Sequence, residues 1–365
     1  MDIAAWIWFH RLELPPVRAH RLLEQFGAPE AIRDGDESDI RSATADLRPD
    51  TLQRLIDARG NTDVSRELDT MDRLGAIAIP YESSAYPACL KTIPDPPILL
   101  FARGDLVAED RMAVGIVGSR RSTHYGKAVA ARLSKDLADR GLTIISGLAR
   151  GIDTEVHVGA LKSGRTIAVL GSGIDVVYPP ENRQLAKDIE NSGAVISEAP
   201  LGTQPDAWRF PARNRLISGL SLGIICIESP VNSGALITAT FALEQGRSVM
   251  AVPGDVTNGK NTGCHQLIKD GACLVQTADD VLLELGVPSA VLPAGPAETL
   301  PLPLDLTSDE SAVMGLLSLT PVEMEDIIAQ TELSAPAASA ALMMLEIKGL
   351  VKRLPGNTYV RAGYG

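Results

Sequence analysis

The stretch MAVGIVGSRRSTHYGKAVAARLSKDLADRGLTIISGLARGIDTEVHVGALKSGRTIAVLGSG, residues 112–173, decides the fold. Short apolar runs in it are followed by glycine-rich turns and then by helical stretches, and this unit repeats. Such repetition is typical of β-α alternation. The runs lack a polar face, as in parallel strands that helices cover on both sides. We therefore predict an α/β fold with a doubly wound parallel sheet.

The same pattern continues to about residue 252 and sets the strands of the predicted sheet. They are Ala113–Val117, Leu142–Ser146, Thr166–Leu170, Ala194–Ser197, Gly223–Ile227 and Ser248–Val252. Glycine is common just past the end of a helix. Gly141, Gly164, Gly193 and Gly246 each stand where an intervening helix is expected to end. The apolar runs and the glycines at the helix ends therefore predict the same order of strands and helices.

Two further domains are predicted to flank the α/β domain, which we place at residues 66–286. Residues 1–65 contain short amphipathic stretches, such as Ala19–Phe26 ending at Gly27, and predict a small helical domain. Residues 287–306 are proline-rich and predict a linker. Residues 307–365 predict a winged-helix domain, built from Ser308–Leu317, Pro321–Gln330, Ser334–Lys348 and a hairpin, Leu350–Val360, that turns at Pro355, Gly356 and Asn357.

Composition limits the functional classes. The 365 residues are 45% hydrophobic and 22% charged, which is ordinary for a globular protein. The formal net charge of −12 argues against a broad basic surface, so any nucleic-acid site must be local. The four cysteines show no CxxC spacing, and we interpret them as reduced thiols. The start of the chain has no basic leader and no apolar run is long enough to span a membrane, so a cytoplasmic protein without membrane contact is expected.

Glycine, serine and arginine concentrate in the loops that follow the predicted strands. In open α/β sheets ligands bind at the carboxyl ends of the strands. Glycines let backbone N–H groups approach an anion, and arginine matches phosphate oxygens. The arginines in these loops are Arg120, Arg121, Arg150, Arg209, Arg213 and Arg215. One edge of an acidic protein is therefore predicted to bind phosphates.

Several familiar motifs fail at a decisive position. The segment that starts at Gly171 begins a GxGxxG pattern but has Val176 at the third glycine, which disfavours dinucleotide binding. GDVTNGK, residues 254–260, is close to a P-loop, but Asn261 replaces the Ser or Thr that would hold magnesium, so we interpret it as a turn. The five histidines show no HExxH spacing and no GxSxG elbow occurs. No metal, cofactor or catalytic residue is predicted.

Other side chains in these loops have two interpretations. Asp153 and Asp175 each follow a glycine-rich loop, where a catalytic carboxylate would suit, but a hydrogen bond that caps a helix or shapes the loop is favoured. Trp208 and Phe210 flank Arg209 in what we expect to be a loop. Such aromatic rings either stack on bases or anchor the loop to the core.

Taken together, these segments resemble the DprA (DNA processing protein A) family, also known as Smf. The matching segments are GIVGSRRST from Gly115, SGLARGID from Ser146, GSGIDVVYPPEN from Gly171, ISEAPLGTQPDAWRFPARNRLISGLS from Ile196, ESPVNSGALITATFALEQGRSVMAVPGD from Glu228 and GCHQLIKDGA from Gly263. The resemblance covers about residues 86–285. It implies an extended Rossmann domain that binds single-stranded DNA in natural transformation, helps load the RecA recombinase and forms a homodimer.

The resemblance and the glycine-, serine- and arginine-rich loops after the predicted strands together define a candidate DNA site. It comprises Gly118, Ser119, Arg120, Arg121, Ser146, Gly147, Arg150, Gly151, Gly171, Ser172, Gly173, Tyr178, Asn182, Phe210, Arg213, Asn214, Arg215, Ser233 and Gly234. Dimerisation is expected through His265, Leu267 and Ile268. The chain departs from the family at Pro180, where many relatives have lysine, and in LELPPVR, residues 12–18, which lacks the glycines of a helix-hairpin-helix turn.

Two alternative functions stay open at this point. The loops also resemble nucleotide-processing Rossmann proteins that cleave glycosidic bonds, but their catalytic glutamate falls on Thr240 here. A transcription factor acting through the winged helix is the other alternative. Its recognition helix, Ser334–Lys348, offers only Glu346 and Lys348 as charged groups, so a role in reading DNA is disfavoured.

Overall fold

The computed structural model describes residues 2–44, 47–287, 306–318, 321–354 and 357–362. Nearly all of the predicted linker, residues 288–305, lies outside these ranges, as do Pro355 and Gly356 of the predicted hairpin turn. Within the described residues, no helix combines the length and apolar character needed to cross a bilayer.

Short helices form the amino-terminal part of the chain: α1 (Ile3–His10), α2 (Pro16–Phe26), α3 (Pro29–Asp34), α4 (Glu37–Ala43), α5 (Pro49–Ala58) and α6 (Ser65–Leu74). Proline occupies the first turn of α2, α3 and α5, where its missing N–H costs nothing. The predicted end of α2 at Gly27 is confirmed, since Gly27 has φ +83°. Trp8 and Phe9 share a core with Phe101 and Leu170 of the sheet, so these helices pack directly on it.

The central sheet has nine strands: β1 (Ile77–Pro80), β2 (Leu99–Gly104), β3 (Ala113–Gly118), β4 (Thr143–Ser146), β5 (Thr166–Leu170), β6 (Ala194–Ser197), β7 (Gly223–Ile227), β8 (Ser248–Ala251) and β9 (Cys273–Leu274). Their order is β1-β2-β6-β5-β4-β3-β7-β8-β9. Strands β3 to β9 pair in parallel with one another. All the strands of the sequence pattern are confirmed to within one residue at each end.

The predicted doubly wound α/β fold is confirmed, and two antiparallel strands at one edge of the sheet make it mixed rather than wholly parallel. Strand β2 pairs antiparallel with β6, and β1 pairs antiparallel with β2. Strand β1 is short, half exposed and ends in Pro80. These features suit a strand at the edge of a sheet, but they give no apolar run from which the strand could be predicted. Strand β2 was not predicted because it follows directly after Pro96 and Pro97, a pair of residues typical of a loop.

Helices cover both faces of the sheet: α7 (His124–Asp139), α8 (Ile152–Ala160), α9 (Arg183–Ser192), α10 (Arg209–Gly219), α11 (Gly234–Glu244), α12 (Thr262–Lys269) and α13 (Ala278–Glu284). Alternate residues of β3 enter different cores. Val114 and Ile116 join the core under α7 and α8, whereas Ala113 and Val117 join the core under α10 and α11. This two-sided burial is the physical basis of the doubly wound fold.

The carboxyl-terminal residues form the expected winged helix: α14 (Ser308–Leu316), β10 (Val322–Glu323), α15 (Met324–Thr331), α16 (Ala335–Ile347), β11 (Val351–Leu354) and β12 (Thr358–Arg361). The second helix begins later than its predicted start at Pro321, because Val322 and Glu323 pair with Tyr359 and Thr358 of β12. The hairpin is confirmed by the antiparallel pairing of β11 with β12.

Candidate nucleic-acid interface

A cleft opens at the point where the strand order of the sheet reverses. From β3 the order runs through β4, β5 and β6 on one side and through β7 and β8 on the other. The loops after β3 and β7 therefore diverge and leave a crevice at the carboxyl ends of the strands, where α/β proteins bind ligands. This switch-point cleft has a volume of about 690 Å³.

The walls of the switch-point cleft come from loops that are far apart in the sequence. The lining residues are Val117, Gly118, Ser119, Arg120, Arg121, Ala149, Asp153, Tyr178, Pro205, Ala207, Phe210, Pro211, Arg213, Asn214, Ile217, Pro230, Asn232, Ser233, Gly234, Ala235, Thr238 and Lys260. Four of them are cationic and only Asp153 is acidic. Against the net charge of −12 for the whole chain, this cleft is a local basic site.

Aromatic rings lie beside the cations in the cleft. The Arg120 guanidinium carbon lies 4.8 Å from the centre of the Phe210 ring, and the Tyr178 ring centre lies 5.9 Å from it. Phe210 belongs to the first turn of α10 rather than to a loop, which corrects the expectation that it lies in an irregular segment. Gly171 lies behind the ring, and a Cβ there would come within 3.1 Å of Phe210 Cδ1. Phe210 is thus held in place by close backbone packing.

Arg213 is a buried cation in the wall of the cleft. Its Nη1 donates to the carbonyls of Gly147, at 2.8 Å, and Val169. Burial lowers the pKa of Arg213 to about 10, and the neighbouring Asp153 carboxylate opposes this shift. Arg213 therefore stays charged at neutral pH. Gly147 is required for this arrangement, since a Cβ there would lie 2.4 Å from Arg213 Nη2.

Asp153 and Asp175 shape loops, as the favoured interpretation predicted. Asp153 accepts a hydrogen bond from the Ala149 N–H at 3.3 Å, and Asp175 accepts from the Gly202 N–H at 2.9 Å. Burial raises the pKa of the Asp153 carboxyl, while Arg213 acts in the opposite direction.

Ten of the candidate DNA-site residues line the switch-point cleft: Gly118, Ser119, Arg120, Arg121, Tyr178, Phe210, Arg213, Asn214, Ser233 and Gly234. Three polar candidates instead support the backbone around it. Ser146 Oγ donates to the Ile116 carbonyl at 2.7 Å, and Ser172 Oγ donates to the Val176 carbonyl at 2.6 Å. Asn182 Nδ2 donates to the Leu148 carbonyl at 2.9 Å. Their side chains are satisfied within the protein.

The wall of the cleft does not include Gly147, Gly151, Gly171 or Gly173. Gly151 has φ +81°, and a Cβ there would lie 2.3 Å from the Ser119 carbonyl oxygen. A glycine at residue 151 thus lets the loop after β4 approach the loop that carries Arg120. Arg150 is exposed and pairs with Glu181, outside the cleft lining.

Arg215 lies on the other side of α10, which is the main correction to the predicted site. Its Nε is 2.9 Å from Asp95 Oδ2, and its Nη2 donates to Glu198. These groups line a second cavity of about 520 Å³, together with Trp208 and Arg209, and Arg213 lies in the wall of both cavities. Because its charge is already paired with two carboxylates, Arg215 is poorly suited to hold a phosphate.

Lys260 is the cation of the cleft that the sequence did not reveal. It ends the P-loop-like segment 254–260, which is a turn as interpreted, with the Thr257 N–H donating to Asp255 at 2.7 Å. The signal was present, because the segment follows the predicted strand β8 and so lies at the same sheet edge. Thr240 does not line the cleft, and its hydroxyl donates to the Leu236 carbonyl at 3.1 Å. Within the described residues, no three His, Cys, Asp or Glu side chains are grouped as for a metal ion.

Fold and site together define a Rossmann-like α/β protein with a basic, aromatic cleft at its switch point and a winged helix. The family model for DNA recombination-mediator protein A matches residues 78–286, and the model for the DprA winged helix domain matches residues 296–357. The chain belongs to the DprA/Smf family.

Relatives with known names agree with this assignment. The chain is 35% identical to Protein Smf of Synechocystis over 85% of its length and 86% of that protein. It is 40% identical to Protein Smf of Escherichia coli over 78% of this chain and 76% of that protein. Among solved structures, DprA of Streptococcus pneumoniae superposes with a TM-score of 0.68 at 35% identity, covering 76% of this chain and 95% of that one. DprA of Helicobacter pylori, described for its single-stranded DNA binding mode, gives a TM-score of 0.52 at 28% identity, covering 57% and 95%.

Proposed function

We propose that this chain binds single-stranded DNA in the switch-point cleft, protects incoming strands in the cytoplasm and helps load the RecA recombinase in natural transformation. It acts as a binding protein without a catalytic step. The observation that carries the proposal is the contact between Arg120 and Phe210, which puts a cation and an aromatic ring on one wall of the cleft. Relatives named for DNA processing and the single-stranded DNA binding described for the Helicobacter pylori protein support it.

The chemistry of the cleft suits a single strand better than a duplex. Arginine and lysine neutralise backbone phosphates, and a ring such as Phe210 stacks on an unpaired base. A duplex hides the faces of its bases, and its grooves are read by an inserted helix or β-ribbon. The cleft is lined by loops and by residues of α8, α10 and α11, so it is a recessed crevice that receives a strand rather than a projecting helix or ribbon.

The test is fluorescence anisotropy with a labelled oligonucleotide, single-stranded or annealed to its complement, over a series of salt concentrations. We expect clear preference for the single strand and an affinity that falls as salt increases. Equal affinity for the duplex at physiological salt would contradict the proposal.

Arg120→Gln locates the site. Losing one phosphate contact should weaken single-strand binding and reduce the slope of log K against log salt by roughly 0.7. Arg66→Gln is the matched control, because Arg66 is exposed on α6, away from the cleft. A folded Arg120→Gln protein with an unchanged slope would remove Arg120 from the site.

The proposed partners are the DNA strand, RecA and a second copy of this chain. The residues proposed for the dimer contact, His265, Leu267 and Ile268, belong to α12 and are half-buried. Leu267 and Ile268 pack partly against the core under α10 and α11, and His265 Nε2 is 3.1 Å from the Gly254 carbonyl oxygen. The apolar side chains that stay partly exposed support their proposed role in the dimer.

A further inference from the structure

Glu228 is a buried carboxylate beside the switch-point cleft that the proposed function leaves unused. It follows β7 directly, is fully buried and has φ +49°, a backbone conformation that glutamate rarely adopts. The Thr123 N–H donates to both carboxylate oxygens, at 2.8 and 2.9 Å, and the Thr123 hydroxyl donates at 3.0 Å. The unusual backbone conformation of Glu228 thus places its carboxylate against Thr123.

Thr123 is the residue that caps the amino terminus of α7. In nucleotide-binding α/β proteins, the helix after a strand at the switch point receives a phosphate at this end, where free N–H groups and the helix dipole attract an anion. Here the carboxylate of Glu228 is already at that position. Gly126 makes room for it, because a Cβ at residue 126 would lie 1.8 Å from Glu228 Oε2.

We propose that Glu228 is a built-in substitute for phosphate that closes the amino terminus of α7 to free nucleotides. A nucleotide phosphate would meet an N–H that is already occupied and a negative charge at close range, and like charges repel strongly where water is excluded. Phosphate contacts are left to Arg120, Arg213 and Lys260 in the cleft. The resulting selectivity for a strand over a mononucleotide rests on the proposed function, whereas the closure of the helix end does not.

Glu228 also joins the two loops that form the cleft. Its carbonyl accepts a hydrogen bond from the Ser119 N–H at 3.2 Å, next to Arg120. A variant that lacks the carboxylate could therefore weaken strand binding simply by loosening a loop. Gain of phosphate binding is the decisive readout, because loosening a loop does not create an anion site.

The experiment measures inorganic phosphate and AMP binding to the full chain by titration calorimetry. Wild type is compared with Glu228→Gln, which removes the charge at constant shape, and Glu228→Asn, which is shorter and tolerates positive φ. We expect wild type to bind neither ligand at millimolar concentration and Glu228→Asn to gain at least about tenfold in affinity for both. Glu198→Gln is the matched control, since Glu198 is a half-buried carboxylate that pairs with Arg215 away from α7; it should gain nothing.

A second measurement keeps the proposal falsifiable if both variants unfold. In wild type, AMP should displace a bound oligonucleotide no better than chloride at equal ionic strength. Stronger displacement by AMP that persists in Arg120→Gln, in which the cleft has lost a cation, overturns the closure of the helix end, as does a folded Glu228→Asn protein that gains no phosphate binding. Wild type that binds no single strand at all would refute the proposed function, while the calorimetry would still decide whether Glu228 closes α7.

Discussion

Two arginines of the FPARNR segment, two positions apart, have different surroundings. Arg213 faces the switch-point cleft and is held by the carbonyls of Gly147 and Val169. Arg215 pairs with Asp95 and Glu198 across a different cavity. Because a helix turns by about 100° per residue, positions two apart point to different sides. The motif therefore supplies one cation to the cleft and one to the packing of α10 against its neighbours.

Replacing Phe210 with leucine separates stacking from charge. We expect single-strand affinity to fall by roughly 1–3 kcal/mol, since one base loses its aromatic partner. The salt dependence should not change, because no phosphate contact is lost. Anisotropy titrations at several salt concentrations measure both quantities. Trp208→Leu is the aromatic control: Trp208 is 62% exposed but lines the other cavity, so its loss should change affinity less than twofold. Equal losses in both variants would contradict the assignment of Phe210.

At the scale of elements, α8 packs on the sheet through a buried histidine. His157 Nδ1 lies 2.7 Å from Thr166 Oγ1, whose own hydrogen is donated to the Ile144 carbonyl. Nδ1 is therefore the donor, and Nε2 is buried without a hydrogen-bond partner among the described residues. Burial lowers the pKa of His157 to about 3 and, in α1, that of His10 to about 4. Both rings are neutral in the folded protein.

These lowered pKa values predict a loss of stability in weak acid. The unfolded chain takes up a proton on each histidine near pH 6.5 and the folded chain does not, so the free energy of unfolding is largest above pH 6.5 and falls below it. Between pH 7.5 and 5.5 we expect a decrease of roughly 1.4 kcal/mol for each histidine. Urea unfolding at the two pH values checks this, and His157→Gln should lose about half of the effect. A pH-independent midpoint in wild type would contradict it.

At the scale of the whole molecule, an acidic chain carries a basic cleft whose cations come from loops after β3 and β8 and from α10. Acidic residues elsewhere keep non-specific attraction to nucleic acid weak. The proposed DNA binding is thus confined to a small area, and a second copy of the cleft in the proposed dimer would extend the contact with a strand.

The proposed dimer is tested by Leu267→Arg. Leu267 is half buried at the surface of α12, so an arginine head group can reach water in a monomer but would be buried in an interface. Sedimentation should show a dimer for wild type at micromolar concentration and a monomer for the variant. Lys269→Glu, at an exposed position of the same helix, is the control. A monomeric wild-type protein would refute the proposed dimer.

The winged helix should be dispensable for single-strand binding. The exposed side of α16 carries Met343, Met344 and Ile347, the helix contains no arginine, lysine, asparagine or glutamine, and Lys348 after it pairs with the buried Glu310 at 2.8 Å. A chain that ends near residue 288 should keep its single-strand affinity within a few-fold. A loss of more than about 1.4 kcal/mol, or tenfold, with the oligomeric state unchanged, would show that the winged helix contributes to DNA binding.

The sequence by itself determined the parallel strands, most of the helices between them and the family. Strands such as Thr166–Leu170 are buried along their whole length, so a continuous run of apolar residues is enough to predict them. Helix ends such as Gly27 are likewise decided within one turn of backbone. The same local reasoning found the loops of the cleft, because every loop after a parallel strand lies at the same sheet edge.

Only the tertiary structure decided which of those loop residues share the cleft. Arg215 is separated from Arg213 by the rotation of α10, a helix that the sequence pattern had presented as a loop. Lys260 joins Arg120 although the two are distant in the chain, and Glu228 reaches Thr123 from another strand. Which side of the cleft a side chain faces, and which distant residues it meets, depend on how the helices and strands pack against each other. Residue type and local periodicity do not predict these contacts.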